Sequence, residues 1–339
     1  MHDLAKQTKP AGASPKSPKG RGIKVWPFYL LLALLFVLYL LFQSNQALSV
    51  IFGTAAFLML VSVIMLELFA GMQEEGYVKN ILEMVAAVAA VVLLWFLLRA
   101  LLQTPNPIDV VPSCSMLPAL QRGDMVVLRG ISNISQIHAP VVNITKTQFA
   151  NLLNSIRNGS LSCVAYTVSN NRVVISQIAY PGYTVGLYKQ GNPGYIVQDG
   201  AQANNTIKYT CGTVPSRFSN GTTVSEASTI SITIANTTIS DNKNNSIVVY
   251  ETVPEDLFYK EGDLYIVHRA YAVLNVQGSY YTLTKGDNNP GLDVQYSNYP
   301  ANLSFIQGRV IASIPYAGYL KLLLSGSLRQ PAGCNSTIG

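Results

Sequence analysis

Three long apolar runs occupy the first third of the chain and predict membrane-spanning helices. They cover residues 25–42, 47–66 and 81–102, and each has at least 18 residues. About 20 apolar residues are enough to cross a hydrocarbon core as a helix. We therefore expect a three-helix transmembrane anchor over residues 25–103. A cleavable signal peptide over residues 1–42 is the alternative, but the run is long for one and no small-residue cleavage site follows at once.

The hydrophobic pattern changes after residue 104, where short alternating runs replace the long apolar ones. These runs predict strands, and the clearest cover residues 229–235, 246–251, 264–268 and 280–284. The segment is rich in Tyr, Thr, Ser, Val, Ile and Asn, with Gly and Pro between the runs. The expected fold class is therefore mainly β, as a β domain carried on a helical membrane base.

The charge of the chain is concentrated at its beginning. Its formal net charge is +6, and the tail of residues 1–24 contributes +5 of this, from six basic side chains and one acidic one. The rest of the chain is almost neutral, so nucleic acid is not an expected partner. A basic tail before the first span predicts a cytoplasmic N-terminus. With three spans, everything after about residue 104 is then expected outside, on an integral plasma-membrane protein.

Two further features agree with an exported domain. Nine Asn-x-Ser/Thr triplets, the acceptor pattern for N-glycosylation, lie on the segment expected outside; they begin at Asn133, Asn143, Asn158, Asn204, Asn220, Asn236, Asn244, Asn302 and Asn335. An outside location also permits disulfide bonds. Of the three pairings open to four cysteines, Cys163 with Cys211 is favoured because both lie in one Asn/Ser-rich stretch. The cysteines lack metal-ligand spacing and the chain has three histidines, so we expect no metal site and no cofactor.

Candidate chemistry is confined to a few short blocks beyond the spans. The blocks are PSCSMLP at 112–118, RGDMVVL at 122–128, EGDLYIVHR at 261–269 and TKGDNNPGLD at 284–293. They supply a serine, a histidine and carboxylates, the set from which a serine nucleophile is activated by a histidine base. His2 lies on the wrong side of the membrane and His138 lacks an acidic neighbour, which leaves His268 as the candidate base. By residue types alone, these blocks could also be ordinary turns.

The order and content of the blocks resemble type I signal peptidases, and more closely their archaeal and endoplasmic-reticulum branch than the bacterial one. The segment GRVIASIPYAGY at 308–319 is also similar to the end of that family's domain. The resemblance implies a signal-peptidase-like β domain with Ser115 as nucleophile and His268 as base. It further implies that Asp293 orients His268 while Asp287 supports the site, with the reverse assignment of the two aspartates also open.

The resemblance also implies how substrate binds. The Ser115 backbone N–H and the Ser113 hydroxyl would hold the oxyanion, and residues 108–111 would pair with an extended peptide. The expected substrate-binding residues are Ser113, Ile108, Val110, Val111 and Met116.

The resemblance covers residues 104–136 and 244–325, which we expect to form one catalytic β domain. Three features depart from the family pattern. Cys114 stands where glycine is usual, and three spans replace the usual one. Residues 137–243 interrupt the pattern, and we expect them to form a separate, inserted β subdomain. Residues 326–339 are expected to be a C-terminal tail.

The resemblance implies a membrane-bound serine endopeptidase that removes signal peptides from exported preproteins. Its implied partners are those preproteins and the lipid bilayer, with the protein-export channel as a candidate partner. Residues 316–324 could lie at the membrane interface or belong to the core of the domain. Two other classes stay open: a membrane protease with a regulatory or self-cleaving role, and a surface glycoprotein whose triad no longer functions. A membrane-anchored β domain without chemistry would require the blocks to coincide by chance.

Overall fold

The computed structural model of the chain describes residues 25–42, 45–74, 77–157, 164–169, 172–175, 195–198, 206–325, 327, 331 and 333–338. The basic tail and His2 lie outside these residues. Within them, the chain consists of a helical part followed by a part built mostly of β-sheet, as the change in hydrophobic pattern predicts.

Three helices come first, and two of them are long and apolar enough to cross a membrane. The helices are α1 (Trp26–Leu41), α2 (Gln46–Glu74) and α3 (Tyr77–Leu102). The spans that qualify are Ala47–Glu67 in α2 and Ile81–Leu102 in α3. Helix α1 has 16 residues, which corresponds to about 24 Å of helix, so the structure makes the first predicted span shorter than the other two.

Each of the three helices contacts the β domain near one of its ends. Tyr39, near the end of α1, donates a hydrogen bond from its hydroxyl to the Pro315 carbonyl at 2.6 Å. Val50, in the first turns of α2, packs against an apolar cluster of the β domain. The Leu102 carbonyl at the end of α3 accepts from the Gly130 N–H at 2.8 Å. The end of α1, the beginning of α2 and the end of α3 therefore all lie against the domain.

The β domain contains fifteen described strands and three described α-helices, besides short 3-10 helices. They are β1 (Ile108–Val110), β2 (Met125–Arg129), β3 (Val141–Ile144), α4 (Lys146–Arg157), β4 (Val164–Ser169), β5 (Arg172–Ile175), β6 (Tyr195–Gln198), β7 (Ile207–Phe218), β8 (Thr223–Ile234), β9 (Thr237–Ser240), β10 (Ile247–Glu251), α5 (Leu257–Glu261), β11 (Tyr265–Val276), β12 (Ser279–Lys285), β13 (Ala301–Asn302), β14 (Ile306–Ile314), α6 (Tyr319–Leu324) and β15 (Ser336–Ile338).

An eight-stranded sheet forms the centre of the domain. Its strands run in the order β1-β2-β14-β10-β11-β12-β13, and β3 pairs with β11 in parallel. The other described pairs of this sheet are antiparallel, and β1 lies at one edge. The long central strand β11 is buried from Ile266 to Leu274, because it has neighbours on both sides.

The sequence predicts a separate subdomain for the insertion, but its described elements β3, α4 and β7–β9 pack with the central sheet. Strand β3 belongs to the central sheet, and α4 places Leu152 in the same core as Leu274 of β11. Strands β7, β8 and β9 form a second sheet with β15, in the order β15-β7-β8-β9. Ile207, Ile232 and Ile234 from that sheet enter the same core. The two parts of the sequence are thus joined because they bury one shared set of apolar side chains.

Residues 316–324, which the sequence could place either at the membrane interface or in the core of the domain, have both buried and exposed side chains. Tyr319 and Leu322 of α6 are buried with Val110 and Tyr316, whereas Leu324 is 80% exposed. Helix α6 is therefore part of the domain core on one side and carries exposed leucines on the other.

Candidate active site

Three elements bring a serine, a histidine and an aspartate into one hydrogen-bonded chain. Ser115 lies in the turn after β1, His268 lies in β11, and Asp293 begins the short 3-10 helix Asp293–Tyr296 after β12. The Ser115 Oγ lies 3.0 Å from His268 Nε2. The opposite ring nitrogen, Nδ1, lies 2.7 Å from Asp293 Oδ2. Residues separated by up to 178 positions in the sequence thus meet at hydrogen-bonding distance.

The aspartate is held in its ionised form inside the protein. Asp293 is 1% exposed, and burial alone would raise the pKa of its carboxyl group. The charge of His268 and hydrogen bonds from His268, Thr284 and Tyr250 outweigh burial, so the pKa of Asp293 is lowered. The Tyr250 hydroxyl donates to Oδ2 at 2.9 Å. Tyr250 and His268 therefore hold the same carboxylate oxygen between them.

The histidine ring is fixed on more than one side. His268 is 3% exposed, and its backbone is paired with Val248 of β10. The ring of Phe258 in α5 lies edge-on to the imidazole at a centroid distance of 5.9 Å. With Nδ1 turned to Asp293, the remaining nitrogen Nε2 faces Ser115, which is the orientation needed to accept a hydroxyl proton.

The turn that carries Ser115 is held by the loop after β12. The Asn288 N–H donates to the Ser115 carbonyl at 2.7 Å. A side chain at position 286 would begin only 2.7 Å from the same carbonyl oxygen, so this approach of the two loops requires Gly286. The Ser113 hydroxyl lies 3.1 Å from the Ser115 Oγ and is thus placed beside the atom that would attack a substrate.

The second aspartate has different partners, Lys243 with its Nζ 3.4 Å from Oδ1 and, more closely, Arg269. Asp287 binds Arg269 through two hydrogen bonds, Nε to Oδ1 at 2.8 Å and Nη2 to Oδ2 at 2.7 Å. Arg269 also donates to the Asn245 carbonyl at 2.6 Å. This buried pair joins β11, directly after His268, to the loop after β12. Of the two assignments left open by the sequence, the geometry agrees with the one in which Asp293 contacts His268. Asp287 instead supports the site through Arg269.

A cleft of about 430 Å³ opens beside Ser115 and His268. Its lining comprises Val111, Pro112, Ser113, Ser115, Phe258, Glu261, Asp263, Tyr265, Ile266, Val267, His268, Asn289, Pro290, Tyr296 and Pro331. The lining thus includes residues of the segment after β1 together with the first residues of β11. Strand β1 is an edge strand that leads directly into the lining residues Val111 to Ser113, so its backbone is placed to pair with an extended peptide.

The expected substrate-binding residues divide on this geometry. Ser113 and Val111 line the cleft, and Ile108 is half-buried on β1 and lines a neighbouring pocket. The side chains of the other two residues are buried, and the expected backbone pairing of residues 108–111 with a peptide stays a prediction. Met116 is fully buried in an apolar cluster with Leu128, and Val110 is buried against Tyr319. Both side chains make apolar contacts in the interior, whereas the adjacent residues Val111 and Ser115 line the cleft.

The structure adds residues that sequence reasoning did not single out. Tyr250 lies beneath Asp293, and Asn288 holds the Ser115 turn. In the sequence, Tyr250 could have been noticed at the end of the predicted strand 246–251. Asn288 could have been noticed in the Asp-Asn-Asn-Pro turn. Of the other histidines, His138 is exposed and away from the cleft.

The structure also contains a disulfide bond between Cys114 and Cys334. The favoured pairing of Cys163 with Cys211 lies outside the described residues, since Cys163 and the side chain of Cys211 are not among them. The bond places the unusual residue before the nucleophile in contact with a part of the chain more than 200 positions away.

Comparisons with protein-family models, curated proteins and solved structures found no match. A serine hydroxyl, an imidazole and a buried carboxylate in this order can generate a nucleophile and return its proton to a leaving group.

Proposed function

We propose that the chain is a membrane-anchored serine endopeptidase of the signal-peptidase type, which removes signal peptides from exported preproteins at the outer face of the plasma membrane. The observation that carries this proposal is the Ser115–His268–Asp293 chain, with hydrogen-bonding distances of 3.0 and 2.7 Å, at the edge of an open cleft. The resemblance of the sequence blocks supplies the substrate class.

In the proposed reaction, His268 Nε2 accepts the proton of Ser115 as its Oγ attacks the scissile carbonyl carbon. Asp293 accepts a hydrogen bond from Nδ1–H and stabilises the imidazolium that forms. The oxyanion is held by the Ser115 N–H and the Ser113 hydroxyl, each worth a few kcal/mol in comparable hydrolases. The imidazolium then protonates the leaving amine. Water hydrolyses the acyl-enzyme and restores the serine.

The anchor gives the site a location suited to this substrate. The nucleophile follows the last residue of α3 by 13 positions, and the Leu102 carbonyl is hydrogen-bonded to the β domain. A signal peptide presents its cleavage region just beyond its own apolar helix. We propose that α1, α2 and α3 all span the membrane and that the site faces this region from the outer side.

A cleavage assay tests the proposal directly. Purified protein in detergent or lipid is given a fluorogenic preprotein with an Ala-x-Ala junction. The expected result is cleavage after the junction that falls by more than about 10³-fold in Ser115→Ala and His268→Ala. His138→Ala, which changes an exposed histidine away from the cleft, is the matched control and should cleave as wild type does. Equal activity in all four proteins would contradict the proposal.

A further inference from the structure

We propose that Pro331 together with residues 333–338, hereafter the tethered segment, forms one wall of the cleft and limits which substrate side chains fit beside Ser115. The inference rests on the proposed function only in taking a peptide as the occupant of the cleft. Pro331 is a lining residue of the cleft that also contains Ser115 and His268. The rest of the segment is held by three attachments, two to the nucleophile turn and one to the second sheet.

The first attachment is covalent. The bond between Cys114 and Cys334 connects the residue directly before Ser115 to the middle of the tethered segment. Cys114 is 5% exposed and Cys334 is half-buried, so the bond lies next to the nucleophile and is reached from the Cys334 side. This explains why a cysteine can stand where the resembling family has glycine, since its side chain is turned away from the cleft and used for the bond.

The second attachment is the side chain of Asn288. Its Nδ2 lies within 3.2 Å of the carbonyl oxygens of Cys114, Gly333 and Ser336. Its Oδ1 accepts from the Ile338 N–H at 2.7 Å. One asparagine thus bridges the nucleophile turn and the tethered segment, while its own N–H holds the Ser115 carbonyl.

The third attachment comes from the inserted part of the sequence. Strand β15 pairs with β7 in antiparallel register, from Ser336 opposite Phe218 to Ile338 opposite Ser216. The Ser219 N–H also donates to the Asn335 carbonyl at 2.8 Å. The tethered segment therefore lies between the second sheet and the Ser115 turn, and this placement gives the insertion a way to shape the cleft.

Removing the disulfide bond should affect cleavage differently if the bond only stabilises the fold than if it holds a wall of the cleft in place. Loss of stability lowers the amount of folded enzyme, which reduces the cleavage of all substrates by the same factor. Loss of a wall enlarges the cleft, which changes the ratio between substrates. The ratio of kcat/KM values for two substrates therefore separates the two roles.

The experiment compares full-length wild type, Cys334→Ser and the double variant Cys114→Ala/Cys334→Ala on two preproteins. One has alanine and the other leucine directly before the cleavage point. We expect the preference for alanine to fall by about tenfold in both variants. Pro331→Gly should lower it in the same direction with the bond intact. Pro254→Gly, at an exposed proline outside the cleft lining, is the matched control and should keep the wild-type preference.

Reduction provides a test without substitution. Dithiothreitol transfers two electrons and two protons to the bond, which leaves two thiols and the cyclic disulfide of the reagent. Wild type treated in this way should acquire the preference of Cys334→Ser. The substrate preference of the double variant should not change on reduction, because this variant lacks the bond. A change there would show that the reagent acts through other cysteines. An unchanged preference in Cys334→Ser, Pro331→Gly and reduced wild type would overturn the proposal.

A footprinting measurement separates this inference from the proposed function. Hydroxyl-radical oxidation of Tyr296, which lines the cleft, is compared in wild type and Cys334→Ser, with the half-buried Tyr280 of β12 as the internal control. If the tethered segment is a wall, oxidation of Tyr296 rises several-fold relative to Tyr280, whether or not any peptide is cleaved. An unchanged ratio overturns the wall even in an active peptidase. Absence of Ser115-dependent cleavage with a raised ratio overturns the proposed function alone.

Discussion

At the residue scale, the site depends on keeping one carboxylate charged and correctly turned inside the protein. Asp293 is almost fully buried, a condition that favours the neutral acid. Hydrogen bonds from Tyr250 and His268 reach the same oxygen, Oδ2. Because this oxygen accepts hydrogen bonds from both donors, the carboxylate is fixed in position and faces Nδ1 of the histidine. Tyr250 is therefore a positioning residue for the proposed base.

The Tyr250→Phe substitution tests this role. It removes the hydroxyl that donates to Asp293 and keeps the ring that fills the core. Hydrogen bonds to charged groups contribute about 1.5–3 kcal/mol, so we expect a loss of unfolding free energy in this range and about tenfold lower kcat with little change in KM. Steady-state kinetics and denaturant unfolding measure both. Tyr259→Phe, at an exposed tyrosine, should change neither quantity.

The lowered pKa of Asp293 also predicts how stability depends on pH. The folded protein binds this proton less readily than the unfolded chain, whose aspartates titrate near pH 3.9. Asp293 therefore stabilises the fold above that pH, and the contribution is lost as the pH falls through the lower folded-state pKa. Thermal unfolding between pH 7 and pH 3 should show a smaller acid-induced decrease in Asp293→Asn than in wild type. Equal decreases would show that the charge of Asp293 is not linked to folding.

At the element scale, the candidate site forms where two loops contact each other. The turn after β1 carries Ser115, and the loop after β12 carries Asp287, Asn288 and the approach to Asp293. The two meet through the Asn288 N–H and the Ser115 carbonyl, and the buried pair of Arg269 and Asp287 fixes the second loop to β11. The loops are therefore correctly placed only when the central sheet is formed.

The arginine–aspartate pair can be tested by breaking it and by replacing it. Asp287→Ala leaves the Arg269 guanidinium buried without its counter-charge, for which we expect a loss of about 3–5 kcal/mol of unfolding free energy. The double variant Arg269→Met/Asp287→Leu removes both charges and should recover most of that loss. Denaturant unfolding measures both variants. A double variant as unstable as Asp287→Ala would mean that the loss comes from other contacts of Asp287, such as Lys243 Nζ at 3.4 Å from Oδ1, and not from the unpaired Arg269.

Elements of the fold differed in how far their sequences could predict them. Apolar runs and alternation are local, so helices α2 and α3 and the strands at 246–251 and 280–284 could be predicted from the pattern. The location of the inserted residues could not, because it depends on which apolar faces pack together. Leu152, Ile232 and Leu274 share one core although they come from three distant segments.

The same distinction applies to the site. The motif blocks indicated Ser115, His268 and the two aspartates, because their residue types and order carry chemical information. Which aspartate faces the histidine depends on the path of the loop after β12. The bond between Cys114 and Cys334 depends on β15 pairing with β7. Contacts over such separations leave no local pattern in the sequence.

At the scale of the whole molecule, the arrangement of the helices against the β domain bears on the number of spans. The end of α1, the beginning of α2 and the end of α3 all contact the domain. This is the arrangement expected if all three helices cross the membrane in alternating directions, as proposed above. Helix α1 is short, at about 24 Å against a hydrocarbon core of about 30 Å. Local thinning of the bilayer accommodates a difference of this size at modest cost.

The location of the basic tail distinguishes three spans from two. If α1, α2 and α3 all cross, the tail and the β domain lie on opposite sides of the membrane; if only α2 and α3 cross, they lie on the same side. Trypsin added to sealed right-side-out vesicles should leave an N-terminal epitope intact, although six basic residues precede α1. Inside-out vesicles should lose the epitope and keep the β domain. Removal of the epitope from right-side-out vesicles would mean that α1 does not cross, and the proposed cytoplasmic N-terminus would then be wrong.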